Sequence, residues 1–206
     1  MESEISRALR FAGIAAAVLF AAAVAGFGAA LDGYLQSRHP VALLGAKDFP
    51  HALAFNLLAF VAPGMLAGMA AMTLRSRLPA EAGWMARIGA QLVLLSALAF
   101  IAMGLLPLDA DDLENAASRL HGTAWMLWAV AFVPGVALLA LGLWRDRQWP
   151  RFARLSLAAA VCVLIAAFVQ TDAIPAGVAQ RIAFGIWFAW LTYADFSLGR
   201  KTGFDP

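Results

Sequence analysis

Six apolar runs, each near the length of a membrane-crossing helix, divide the chain at roughly residues 10–31, 52–74, 86–107, 121–144, 154–171 and 178–198. A helix needs roughly 20 apolar residues to cross a hydrocarbon core of about 30 Å, so each run predicts one span. The fifth is short at one end, where Gln170 and Asp172 intervene before Pro175. Brief connections make consecutive helices antiparallel neighbours. The pattern therefore predicts an all-α integral membrane protein, a compact bundle of six transmembrane helices forming a single domain over residues 1–206. The first run follows Arg7 and Arg10 and has the outline of a secretion signal. It exceeds the roughly 7–15 residues of a signal core, so it reads as a retained first span.

Composition strengthens this reading. Hydrophobic residues make up 63% of the chain and charged ones 14%, against roughly 45–50% apolar in soluble domains. A net charge of +2 is too small to suggest nucleic acid as a partner. Cys162 is alone, so no internal disulfide forms, and it reads as a small packing residue. The basic residues set the direction. Eleven lie on one side: Arg7, Arg10, Arg75, Arg77, Arg87, Arg145, Arg147, Arg151, Arg154, Arg200 and Lys201. Only Arg38, Lys47, Arg119 and Arg181 lie on the other. Both the N- and C-termini are thus expected in the cytoplasm. Asp32, Asp48, Asp109, Asp111, Asp112, Glu114 and Asp172 fall outside. Trp84, Trp144, Trp149, Trp190 and Tyr193 lie near inner ends and read as interface anchors.

Spans 2 and 4 run in the same direction and resemble one another. "HALAFNLLAFVAPGMLAGMA" starts at His51 and "HGTAWMLWAVAFVPGVALLALG" at His121; each carries Pro-Gly at its middle, Pro63-Gly64 and Pro134-Gly135. Proline removes a backbone donor and crowds the preceding turn, which predicts a kink in both helices. Two kinked parallel helices can open a cavity outward, with a histidine on each rim.

The outer half holds all three histidines, His39, His51 and His121, and most polar residues of the spans. The candidate vestibule comprises His51, Asn56, Asp109, His121, Asp172, Gln180 and Arg181. A solvated loop accounts for Asp111, Asp112 and Glu114. Asp109 follows Pro107 at the mouth of span 3, and His121 opens span 4 beside Gly122, read as a site of close backbone approach. The short connection predicts that Asp109 and His121 approach to about 3–5 Å, directly or through one water. On the inner side Gln91 lies a turn into span 3, and Asp195 is expected to reach the interface or pair with a nearby base, with Arg200 and Lys201 close in sequence. His51, His121 and Asp109 are the weak metal candidates; neither HExxH nor a close His-x-His pair occurs. No cofactor is strongly implied.

Three segments resemble an uncharacterised prokaryotic membrane family, domain-of-unknown-function family 998. They are "HPVALLGAKDFPHALAFNLLAFVAPGML", "GLLPLDADDLENAASRLHG" with its Gly-x-x-Pro-x-Asp and later His-Gly, and "GVAQRIAFGIWFAWL" at the entry to the last span. The resemblance points to Gly45, Pro107, Asp109, His121, Gln180 and Arg181. It implies six helices and multi-pass residence in a bacterial cytoplasmic (inner) membrane, with no established reaction. Ala42 and Leu43 precede Leu-Gly-Ala where the family carries Ser and Glu, and Leu108 stands where relatives often carry Cys. Neither place offers a nucleophile here.

Four functions fit these features. The first is binding of a membrane lipid or small amphiphile in the outward-facing vestibule between spans 2 and 4. The second is a metal-dependent, membrane-embedded lipid hydrolase using His51, His121 and Asp109. The third is haem binding between two histidines. The fourth is a structural role in a homo-oligomer or membrane complex, through small-residue faces such as "GMLAGMAAM".

Overall fold

The computed structural model describes residues 11–146, 149–168 and 174–199. Its long helices are α1 (Ala12–Ala30), α2 (Ala52–Ser76), α3 (Trp84–Leu105), α4 (Ala116–Leu143), α5 (Pro150–Phe168) and α6 (Ala176–Gly199). A short 3-10 helix, Val41–Gly45, lies in the loop between α1 and α2. α4 starts five residues before the apolar run because Asn115 caps it, its Oδ1 accepting from Ser118 N at 2.9 Å. His121 therefore lies in the second turn of α4 rather than at its mouth. α5 also starts early, at Pro150, whose fixed φ suits a first helical residue.

Five of these helices, α1 to α5, are long and apolar enough to cross a membrane. α6 has 24 residues, but Gln180, Arg181 and Asp195 dilute its apolarity. The fold is that of a multi-pass membrane protein. The connections 31–51 and 106–115 and the start of α6 share one end of the bundle, termed the loop end. The start of α1 and the α2–α3 and α4–α5 connections share the other, termed the arginine end.

Large aromatics fill the centre. Phe20 of α1, Phe60 of α2, Phe100 of α3, Trp128 of α4, and Phe184 and Trp187 of α6 are all buried. The Phe100 and Trp187 rings are 4.7 Å apart, and those of Trp128 and Phe184 5.0 Å. Lipid cannot drive helices together by hydrophobicity, so small residues and close packing must do it. α3 and α4 meet in this way: a Cβ on Gly89 would stand 2.6 Å from Gly135 O, and one on Gly142 2.7 Å from Ala86 N. α5 packs outside this core, against α4 and α6. Leu98, Val130, Leu141 and Ile165 are exposed on the surface that faces lipid.

The two similar segments differ in backbone. α2 turns π-helical over Asn56–Val61, where Ala62 N donates to Leu57 O, five residues back. The wide turn ends just before buried Pro63, whose ring and missing N–H disturb the turn preceding it. Pro134 is exposed, and α4 stays α-helical across it. The prolines thus act on one helix type in α4 and two in α2. Of the expected interface anchors, Trp84 and Trp144 are exposed, whereas Trp149 and Trp190 are buried. The Trp190 indole donates to Ser156 Oγ at 2.9 Å, which draws it inward. Cys162 is exposed on α5 rather than packed.

Candidate functional site at the loop end

The loop after α1 folds down onto the start of α6, and Arg181 holds it there. Arg181 Nε donates to Gln36 Oε1 at 3.1 Å. Nη1 donates to His39 O at 2.9 Å and to Gly177 O at 2.8 Å. Nη2 donates to the Tyr34 hydroxyl and to Gln36 Oε1, both at 2.6 Å. A guanidinium has five N–H donors, and these five bonds use them all. Every acceptor is formally neutral, so the charge is dispersed over oriented dipoles. Gln36 in turn donates to Val24 O of α1 at 2.9 Å. One residue before Arg181, Gln180 Oε1 accepts from Val41 N at 2.6 Å. Burial pushes the Tyr34 phenol above its ordinary pKa, with Arg181 pulling the other way. The phenol stays protonated at neutral pH and donates to Pro40 O at 3.1 Å.

The second fixture is Asn56. It is 5% exposed, stands at the start of the π-helical stretch, and donates to Gly45 O at 2.8 Å. A side chain on Gly45 would overlap that of Asn56. Gly104 of α3 backs the same stretch; a Cβ there would lie 2.7 Å from Phe60 Cβ and 2.9 Å from Asn56 O. π-Helical turns commonly mark places where a helix has been reshaped for a site.

The third fixture is the acidic loop. Lys47 N donates to Leu108 O at 2.8 Å, joining the two loops. Ser118 organises the rest: its Oγ donates toward Asp109 O (3.0 Å) and Asp112 O (2.9 Å) and accepts from Asp109 N (2.9 Å). Asp109 Oδ1 accepts from Asp111 N at 3.1 Å, and Asp112 Oδ1 from Glu114 N at 3.0 Å. Both are turns in which an aspartate binds the backbone two residues on. His121, 8% exposed, puts Nδ1 2.9 Å from Leu106 O. A carbonyl only accepts, so Nδ1 carries the proton. His121 thereby caps the end of α3, where Pro107 has no N–H to offer.

Asp109 and His121 are not joined by a direct hydrogen bond or ion pair. Each takes a backbone partner, the carboxylate within its own turn and the imidazole at the end of α3. Gly122 is not a point of close approach either, since a Cβ there meets nothing within 4 Å. His51 is exposed, holds a left-handed φ of 60° at the start of α2, and makes no capping bond. Asp172 lies outside the described residues. Gly45, Asn56, Pro107, Asp109, His121, Gln180 and Arg181 do converge on this end. Tyr34, Gln36 and Ser118 join them, although sequence reasoning passed them over. For Ser118 a signal existed, the Asn115-x-x-Ser118 spacing of a helix cap.

Among the described residues no three His, Cys, Asp or Glu side chains gather as a metal site. The interlocked loops form a roof over the aromatic centre, which includes Trp128 and Trp187, both 0% exposed. Each indole Nε1 is buried without a hydrogen-bond partner. Their rings are 5.9 Å apart and nearly perpendicular, at 83°.

This all-helical membrane bundle, closed at one end by interlocked loops, belongs to the family described as protein of unknown function (DUF998), whose model matches residues 14–194. No curated protein and no solved structure matches the chain.

Proposed function

We propose that this protein binds a membrane lipid or small amphiphile carrying a hydrogen-bond acceptor. The ligand enters the aromatic centre beneath the loop roof, close to the Trp128 and Trp187 indoles. The observation that carries this reading is the pair of buried indole donors without acceptors. A buried indole N–H normally finds a partner, and leaving one unmade costs about 1–3 kcal/mol. An ester or ketone oxygen on an apolar body matches two N–H donors set among aromatic faces. Trp128 lies seven residues beyond His121, about 10 Å deeper along α4. His121 bridges the two layers, its ring 6.4 Å from that of Phe60. The polar residues of the roof are committed to the protein itself, so they serve as its closure rather than as headgroup ligands.

On the basic-residue bias, the roof faces outward from a bacterial cytoplasmic membrane. The metal-hydrolase reading draws less support, because His51, His121 and Asp109 stand apart in different bonding arrangements. Haem ligation by two matched histidines has the same weakness. A structural role in a larger complex, or in an oligomer of this chain, is favoured by one observation: the saturated Arg181 network makes the roof a rigid surface.

Native mass spectrometry of protein extracted in mild detergent tests the binding reading. A lipid-mass adduct retained by the wild type and reduced about tenfold in W128F/W187F is expected; each lost hydrogen bond is worth about 0.5–1.5 kcal/mol. A wild type free of adducts, or adducts indifferent to both substitutions, overturns it.

A further inference from the structure

The first turn of α1 has no cap of its own. Phe11 precedes it, makes no side-chain cap, and no acid lies in the turn. Its orphan Gly13 N–H is taken by Asp195 Oδ2 of α6 at 2.8 Å. A Cβ on Gly13 would lie 2.8 Å from Thr192 N and 2.9 Å from that carboxylate oxygen, so the approach needs glycine. Asp195 is 1% exposed, and its other oxygen, Oδ1, is buried without a hydrogen-bond partner. Arg77 follows the last turn of α2, a helix that packs against both α1 and α6. Its Nη1 is buried and also without a partner. The two side chains do not form a direct ion pair.

Among the described residues of the elements around this pair, the neighbouring polar and ionisable groups are placed as follows. α1 has no ionisable residue within Ala12–Ala30. Arg75 of α2 is exposed, and with the Gln91 amide oxygen turned toward it, that oxygen accepts from its Nη2 at 3.1 Å and Nε at 3.2 Å. Tyr193 of α6 stacks on Phe152 of α5.

We propose that Asp195 and Arg77 form a buried site for one small neutral molecule that both donates and accepts a hydrogen bond, with water as the occupant. A carboxylate oxygen only accepts and a guanidinium nitrogen only donates. One molecule with both functions satisfies the two at once. An anion is repelled by Asp195 and a cation by Arg77, which leaves a neutral species. Buried waters typically make about three such bonds and are costly to remove. The bridged pair ties together the start of α1, the end of α2 and the last turns of α6, and it is independent of ligand binding at the other end.

A cryo-EM or crystal structure of the whole chain, at a resolution that shows ordered water, tests the site. Density within hydrogen-bond distance of both Asp195 Oδ1 and Arg77 Nη1 supports it. A direct Asp195–Arg77 contact, or another group of the chain on either atom, overturns it. A second test is a double-mutant cycle of D195N and R77Q, read as unfolding equilibrium in detergent. Bridging predicts a coupling of about fivefold or more between the substitutions; additive effects overturn it. Where D195N does not fold, the wild-type structure decides.

Discussion

Arg181 and Arg77 close opposite ends of the same bundle, and the protein treats them differently. Arg181 meets only neutral oxygens and spends all five donors on them. Arg77 makes no direct ion pair with the buried Asp195 carboxylate and keeps one nitrogen without a partner. The loop end is therefore over-determined: dipoles from the first loop and α6 all point at one cation, and Gln36 ties that network to α1. At the arginine end, opposite charges are held apart and each lacks a bond. The contrast extends to helix termini. His121 caps the end of α3 and Asp195 the start of α1, both from another helix. Termini near lipid need such partners because bulk water is not reliably there to serve them.

The strongest way to break this comparison is R181A. It removes five hydrogen bonds and leaves Gln36, His39 and Gly177 oxygens short of donors, for an expected loss of about 3 kcal/mol or more. R181K should restore little, since a single ammonium cannot replace a planar fork. Denaturant unfolding in detergent and protease cleavage within residues 31–51 measure the outcome. An R181A protein as stable and as protected as the wild type would remove the basis for calling this end saturated.

A smaller effect separates two glycines of the same loop end. G104A forces a methyl group onto Phe60 Cβ and the Asn56 carbonyl; overpacking of this kind costs about 1–3 kcal/mol. G122A meets nothing and should be neutral or stabilising by up to about 1 kcal/mol, as glycine is a poor helix former. Equal losses from both would show that the π-helical stretch is not tightly backed by α3.

The smallest effect concerns pH. Folding raises the Tyr34 pKa above its ordinary 10.0, chiefly by burial. The folded state thus holds this proton more tightly than the unfolded chain does. The corresponding stability is fully present below the ordinary value and is lost as pH rises through the folded-state value. Unfolding of the wild type should grow easier above about pH 10, and Y34F should lack that component. Identical profiles for the two proteins would detach Tyr34 from the Arg181 network.

Much of the loop end was legible residue by residue, though not as a set of contacts. Gly45, Pro107, Asp109, His121, Gln180 and Arg181 were singled out by the family resemblance, and Asn56 by its polarity within a span. Their partners were not legible, because most are backbone atoms. Leu106 O, Gly45 O and Val41 N leave no trace in residue type. The expectation for Asp109 and His121 rested on proximity of two side chains, and residue type alone could not show that each also has a backbone partner. Tyr34 and Gln36 were overlooked because a polar residue just past a span end has an ordinary explanation in solvent.

What the amino-acid sequence determined by itself was the number, approximate limits and apolar character of the helices. Burial of apolar groups in lipid is local and nearly additive, so a run of residues declares it without knowing its neighbours. The tertiary structure alone decided which polar groups are satisfied. That α1 is capped by a residue 182 positions away, and that Gln180 reaches an amide 139 positions back, follows from directional bonds between distant segments. Such bonds depend on ångström-scale placement, which only the packed bundle supplies.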